Sequence, residues 1–259
     1  MDLYCAAADL ESLARFGVQF RLRPGEVPDV RAGLHLRYGG GVLALARGND
    51  TRGVFVARPD VERRVSGAFA LGRACGIRRD SPIDILDATA GLGLDGLALA
   101  VAGQRVMLLE RVAALWAMLV NLIERLSPVE AQARWLDCAE LLSDRVTATG
   151  GEGSHEESIF DVVYLDPMFP ARNKSALPGK RMQLVGALLE GEKPFDLDLL
   201  DAARWHARQR VVLKRRLKDP VCFKPDWQIK GRTVRYDVYT GRAGGRGDGR
   251  EDQPSCRTA

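Results

Sequence analysis

The hydrophobic pattern of the chain changes character near residue 82. Upstream, Asp9–Phe16 reads as a short helix. Two runs, Gly33–Tyr38 and Val42–Ala46, alternate apolar and polar residues on either side of Gly39-Gly40-Gly41. Alternation interrupted by glycines predicts a β-hairpin. Residues 1–65 therefore read as a small N-terminal α+β lobe. From Pro82 onward, strand, loop and helix alternate: strand Ile83–Asp87, helix Gly96–Ala102, strand Arg105–Glu110, the long apolar helix Ala113–Leu126 and strand Ala133–Leu136. Phe160–Leu165 is the continuous apolar run expected of a strand covered on both faces of a parallel sheet. Helical stretches at Met182–Leu189 and Leu197–Arg208 follow, then a strand at Arg210–Lys214 and closing strands at Gln228–Ile229 and Val234–Thr240. This order predicts an α/β fold over residues 66–240, a doubly wound and mostly parallel sheet with helices on both faces. Residues 241–259, rich in glycine and charge, are expected to form a disordered tail.

Composition adds exclusions. With 259 residues, 46% hydrophobic and 28% charged, the chain is of ordinary globular type and wholesale disorder is excluded. No stretch of about 18 residues stays apolar without charge, so no membrane-spanning helix is expected. The opening MDLYCAAADLE lacks a basic region and is interrupted by Asp2, Asp9 and Glu11, which argues against a secretory signal and for the cytoplasm. The five cysteines form no CxxC pair, and the three histidines have no ligand spacing, so no metal is expected. Charge is uneven. Residues 1–170 carry 18 arginines and no lysine against 23 acids, while residues 171–240 carry 16 basic and 8 acidic residues. A basic segment of that kind can neutralise nucleic-acid phosphates, or it can be an ordinary solvated surface.

Two motifs carry candidate chemistry. Asp87-Ala88-Thr89-Ala90-Gly91-Leu92-Gly93-Leu94-Asp95-Gly96 places a G-x-G-x-x-G between a strand and a helix. Such a loop lets a ligand approach the backbone closely, and the pattern, unspecific by itself, makes a nicotinamide dinucleotide reading available. Asp87 and Asp95 argue otherwise, because two carboxylates repel a pyrophosphate and suit a ligand with cationic groups, such as S-adenosylmethionine. Glu110, ending the next strand, is placed to bind the ribose hydroxyls of either cofactor. A tight strand-to-helix connection, with Asp87 capping the loop, is the plain structural alternative.

The second motif is Asp166-Pro167-Met168-Phe169-Pro170 after the buried strand. The exocyclic amine of a nucleobase is a poor nucleophile because its lone pair is delocalised into the ring. An acid and a proline carbonyl that accept its N–H groups orient that lone pair, and a neighbouring aromatic offers a stacking face. Asp166, Pro167 and Phe169 are thus the candidate catalytic residues. A proline-terminated strand with a buried phenylalanine is the alternative.

These residues carry a resemblance. DATAGLG (87–93), LLER (108–111), DVVYLDPMFP (161–170) with KSAL after it (174–177), and VRYDVY (234–239) resemble the ribosomal RNA small subunit methyltransferase J family over roughly residues 33–240. The resemblance implies a class I S-adenosylmethionine-dependent methyltransferase fold with a seven-stranded sheet. It implies methylation of a guanine N2 amine in 16S ribosomal RNA, free or in the small subunit. The glycine loop by its own reading sets Asp87, Gly91 and Gly93 against the cofactor, and the resemblance implies contacts at Leu94, Asp95, Glu110, Arg111, Cys138, Ala139 and Asp166. The chain departs from the family pattern at Leu94, where an arginine is usual, at Val112-Ala113, where Asn-Pro is usual, and after Lys214-Arg215, where a proline is usual. Lys174, Lys180 and Arg181, close behind the platform, are expected RNA contacts. Lys214 and Arg215 read equally as phosphate ligands or as an exposed strand end. Methylation of another amine (adenine N6, a protein glutamine), a nicotinamide oxidoreductase and a non-catalytic RNA-binding protein remain the competing readings.

Overall fold

The computed structural model describes residues 1–17, 19–78, 81–143, 160–167, 179–191, 199–221 and 223–242. The N-terminal part forms a four-stranded sheet from β1 (Asp2–Cys5), β2 (Arg21–Pro24), β3 (Leu34–Gly39) and β4 (Val42–Arg47), with a short helix α1 (Leu10–Leu13) between the first two. Strand order is β2-β1-β3-β4. β1 runs parallel to both neighbours, and β3 and β4 form the expected hairpin. Its two turn residues, Gly40 and Gly41, have φ of 58° and 77°, the left-handed values a two-residue turn needs to match strand twist. β1 and β2 escape a reading by local pattern because their partners lie far away in the chain.

Helices α2 (Arg58–Gly67) and α3 (Phe69–Cys75) lead into the second sheet. It contains β5 (Asp84–Asp87), α4 (Leu94–Val101), β6 (Arg105–Glu110), α5 (Ala113–Leu126), β7 (Ala131–Trp135), α6 (Cys138–Ser143), β8 (Phe160–Leu165), α7 (Lys180–Leu188), α8 (Leu199–Trp205), β9 (Ala207–Arg216), β10 (Trp227–Lys230) and β11 (Val234–Thr240). The order is β10-β11-β9-β8-β5-β6-β7, parallel except for the antiparallel pairs β10–β11 and β11–β9. The helical reading of residues 197–208 thus ran too far, since Ala207 already pairs with Phe160. The expected lobe boundary at residue 65 falls inside α2. Only Val61 of that helix is fully buried, so its apolar signal is faint.

Alternation along the strands serves both faces of the sheet. Ile85, Val162, Tyr164 and Val212 point toward α4 and α5, while Leu86, Val163, Leu165, Val211 and Leu213 pack with α6 and α8. A third cluster joins the small sheet to α5, setting Leu3, Phe16, Leu36 and Leu45 against Ala114, Ala117 and Met118. Asn121 of α5 fastens the hairpin there. Its Oδ1 accepts from the Leu43 N–H at 2.9 Å, and its Nδ2 donates to the Gly41 carbonyl at 3.1 Å. Asn121→Ala leaves the buried Leu43 amide without its acceptor, so chemical denaturation should show a loss of about 1–3 kcal/mol. An unchanged denaturation midpoint would mean that water replaces the side chain.

Candidate active site

The chain runs outward from β5 to β6 and β7 on one side and then crosses back to β8 on the other side of β5, so the sheet's topological switch point lies between β5 and β8. That crevice, beyond the carboxyl ends of the strands, is where open α/β sheets bind ligands. Asp87 ends β5, and Asp87 pairs in register with Tyr164 of β8. Asp166 follows β8 directly. The two acids picked out from separate motifs therefore flank the same crevice.

The glycine loop is shaped for close approach on one side and tight packing on the other. Gly91 (φ 56°) has open space where a side chain would begin. At Gly93 (φ 76°) a Cβ would meet Leu119 and Leu97, and at Gly96 it would come within 2.7 Å of Asp87 Oδ2 and 2.8 Å of Leu108 Cδ2. Only a residue without a Cβ lets α4 begin this close to β5. Glu110 ends β6 beneath the loop, its Oε2 accepting from the Gly91 N–H at 2.8 Å and its Oε1 from the Val112 N–H at 2.7 Å. Arg111 sits 3.5 Å from Asp137 Oδ2, and Asp137 Oδ1 accepts from the Ala139 N–H at 3.0 Å. Cys138 opens α6 and packs among Leu109 and Leu142; burial pushes its thiol up to about 12.

Loop and platform are joined directly. The Asp166 N–H donates to Thr89 Oγ1 at 2.7 Å, and Asp87 Oδ1 accepts from the Thr89 N–H at 3.3 Å. A second link runs through Lys214, whose Nζ lies 2.5 Å from Asp166 Oδ2 and 2.8 Å from Asp95 Oδ2. Lys214 follows Leu213, the register partner of Leu165, which brings it beside Asp166. The buried Tyr164 hydroxyl donates to the same Asp95 oxygen at 2.6 Å, and Arg64 of α2 donates to the other oxygen and to the Tyr236 hydroxyl at 3.4 Å.

The electrostatics follow from this arrangement. Burial alone would raise the Asp95 carboxyl, but the Lys214 ammonium and the Arg64 guanidinium hold it down at about 2. At Asp87 the balance is reversed: burial, then the Asp95 and Asp166 carboxylates, push it well above the usual carboxylate range, with the Thr89 N–H and the Lys214 ammonium opposing only in part. Burial also raises Asp166, against the pull of Lys214. Burial would lower Lys214, but Asp166 and Asp95 raise it above its ordinary value. The crevice thus holds four acids (Asp87, Asp95, Glu110, Asp166) against two cations. A ligand with an amine, a sulfonium and a ribose diol fits this donor set better than a pyrophosphate does.

Several expected sites lie elsewhere than expected. Lys214 points into the crevice, and Arg215 is buried, its Nη2 donating to the Pro220 carbonyl at 3.3 Å with Asp219 3.8 Å from its Nε. Arg215 thus braces the loop after β9, a correction to both sequence readings, phosphate ligand and exposed strand end, since strand alternation turns it inward. Lys180 reaches Asp50 at 2.8 Å, and Arg181 reaches Asp60 at 3.0 Å and the Phe55 carbonyl at 3.2 Å, tying α7 to the N-terminal part. Pro167 is buried. Phe169 and Lys174 lie outside the described residues. Arg64, Tyr164 and Tyr236 were not expected at the site. Asp95 has a cationic partner in Arg64, 31 residues away, although the arginine usual at position 94 is absent.

Comparison with known proteins agrees with the geometry. The family model of SAM-dependent methyltransferases matches residues 50–241. The ribosomal RNA small subunit methyltransferase J of Pseudomonas aeruginosa is 38% identical over 225 residues, covering 80% of this chain and 82% of the relative. That of Thioalkalivibrio sulfidiphilus is 40% identical over 176 residues, 65% of this chain and 66% of the relative. Among solved structures, the SAM-dependent methyltransferase NGO1261 from Neisseria gonorrhoeae superposes with a TM-score of 0.67 at 24% identity, covering 93% of this chain and 96% of that one, which shows the shared fold. No helix among the described residues is long and apolar enough to cross a membrane. The chain belongs to the ribosomal RNA small subunit methyltransferase J family of S-adenosylmethionine-dependent methyltransferases.

Proposed function

We propose that the chain methylates the N2 amine of a guanine in 16S ribosomal RNA, in the cytoplasm, with Asp166 and Pro167 as the groups that receive the amine. The observation that carries this reading is the joining of the two motifs. The platform acid is hydrogen-bonded through its own N–H to Thr89 of the glycine loop, and Lys214 ties its carboxylate to Asp95 at the start of α4. A nucleobase on the platform would therefore face a ligand on the loop across one crevice.

When bound, S-adenosylmethionine supplies a methyl group on a sulfonium, which passes to N2 as sulfur keeps the bonding pair. The residues of the chain do the rest. The Asp166 carboxylate and the Pro167 carbonyl accept the two N–H groups, turning the N2 lone pair toward the methyl. Proline at 167 has no N–H of its own to compete. As N2 becomes cationic, the Asp166 carboxylate stabilises it and takes its proton or passes it to water. Glu110 receives the ribose hydroxyls, and its two backbone contacts fix both oxygens for that task. Gly91 and Gly93 leave room for the ligand against the loop, where Leu94 offers its backbone. Asp87 faces the cationic amine. Asp95 serves through its partners, since Lys214 and Arg64 already match its charge. Arg111, Cys138 and Ala139 border the adenine end. Phe169 stacks on the base, Lys174 contacts RNA, and the chain ahead of α2 forms the accessory lobe.

Methyl transfer to 16S rRNA and to assembled small subunits, followed by mass spectrometry of the nucleosides, tests the reading. N2-methylguanosine is expected. Label found instead on adenine N6 or on protein would reassign the substrate, and tight NADH binding without S-adenosylmethionine binding would overturn the enzyme class.

A further inference from the structure

Lys214 ends between two carboxylates of the protein rather than in solvent. Its side chain is 20% exposed. The groups around it come from five elements: Asp166 and Tyr164 at the end of β8, Asp95 of α4, Asp87 of β5, Arg64 of α2, and Tyr236, its register partner on β11. Three of these are carboxylates close enough to raise one another. Arg64 is hydrogen-bonded to Asp95 and acts on Asp166 only from a distance. Lys214 is thus the cation that contacts Asp166 directly. A lysine that served as an RNA phosphate ligand would present its ammonium at the surface.

We propose that Lys214 is a positioning residue for methyl transfer, engaging one oxygen of Asp166 so that the other meets the target amine and keeping that carboxylate ionised beside its acidic neighbours. The inference rests on the reading that Asp166 receives the amine. Lys214 exchanges no proton in the cycle. It remains an ammonium while the N2 proton passes to Asp166 or to water, because two carboxylates within 2.8 Å favour its charged form. Its contact with Asp95 also couples the platform to the start of α4, so Lys214 acts with the Asp166–Thr89 hydrogen bond in setting the distance between base and loop. A misplacement of about 1 Å between reacting groups can cost on the order of a hundredfold in rate.

Steady-state methyl transfer to 16S rRNA from pH 5 to 9, for the wild type and for Lys214→Met, Lys214→Gln and Lys214→Arg, tests this, with S-adenosylmethionine affinity measured alongside. Lys214→Met is expected to lower kcat by about tenfold to a hundredfold, with the KM for RNA held within about threefold. The acid limb of its pH–rate profile should move up by about one pH unit or more, as Asp166 loses its cation. Lys214→Arg should restore the acid limb and part of the rate. Should Lys214→Met fail to fold, Lys214→Gln, which keeps an N–H donor without the charge, carries the same expectation for the acid limb.

A raised KM for RNA with kcat and pH profile kept, together with a shallower salt dependence, would return Lys214 to the role of phosphate ligand. An acid limb displaced equally in Lys214→Arg would also overturn the proposal. The two readings fail separately. Wild-type enzyme that places no methyl on guanine N2 sinks the functional reading, whereas active wild type beside unchanged Lys214→Met and Lys214→Gln sinks only the role of Lys214.

Discussion

Asp166→Ala is expected to lower kcat by about a hundredfold to ten-thousandfold while S-adenosylmethionine affinity stays within about tenfold of wild type. The split follows from where the residue sits. Its carboxylate closes the platform side of the crevice, whereas the loop side is built from Asp87, the glycines and Glu110, with its own hydrogen bonds. Removing the carboxylate deletes the acceptor that orients the amine and the charge that stabilises N2 as it becomes cationic. The backbone N–H of residue 166 still reaches Thr89 Oγ1, so the loop stays tethered. Asp166→Asn is the sharper control, because it keeps a carbonyl acceptor and loses the charge. It should fall between wild type and Asp166→Ala. Titration calorimetry and single-turnover transfer measure the two halves; a wild-type rate in Asp166→Ala would remove this acid from the chemistry.

The second large effect concerns stability. Asp95 is 8% exposed and accepts from Lys214, Arg64 and Tyr164 at once. Asp95→Ala leaves two partly buried cations and a buried hydroxyl without their common acceptor, and should cost about 3 kcal/mol or more. Replacing only the charge, in Asp95→Asn, should cost less, since an oxygen remains for Tyr164. The pH dependence has a definite sign. The folded Asp95 carboxyl is held at about 2, below the ordinary 3.8, so its contribution is fully present above pH 4 and is lost as pH falls toward 2. That share is on the order of 2 kcal/mol. Denaturant titrations of wild type and Asp95→Ala should therefore converge as pH drops through this window. A constant difference across it would show that the ion pairs contribute nothing and that Asp95 acts by packing alone.

Local pattern carries much of this molecule. Strand Arg105–Glu110, helix Ala113–Leu126, strand Phe160–Leu165 and strand Val234–Thr240 stand where hydrophobic periodicity places them, with the same bounds. Each is long or strongly apolar, so burial and propensity agree. The weaker elements failed for a stated reason. β1 and β2 are four residues each and pair with strands distant in sequence. α2 buries one side chain only and shows little apolar periodicity. At residues 206–208, helix gives way to strand because β9 must pair with β8, a demand no local propensity expresses.

The site divides in the same way. Asp87, Gly91, Gly93, Glu110 and Asp166 stand at strand ends and in the turn after β5, where short-range order in the chain already marks a ligand crevice, and the chemistry of each residue can be argued from its type. Arg64, Tyr164 and Tyr236 could not be found that way, and Lys214 was picked out for a different role. Lys214 meets Asp95 across 119 residues and Arg64 meets it across 31, and such meetings arise only when β8, β9 and β11 are laid side by side beneath α4. A charged side chain looks the same in sequence whether it ends in water or beside a carboxylate. Its burial, its partner and therefore its proton affinity are properties of packed strands, and they came into view with the fold.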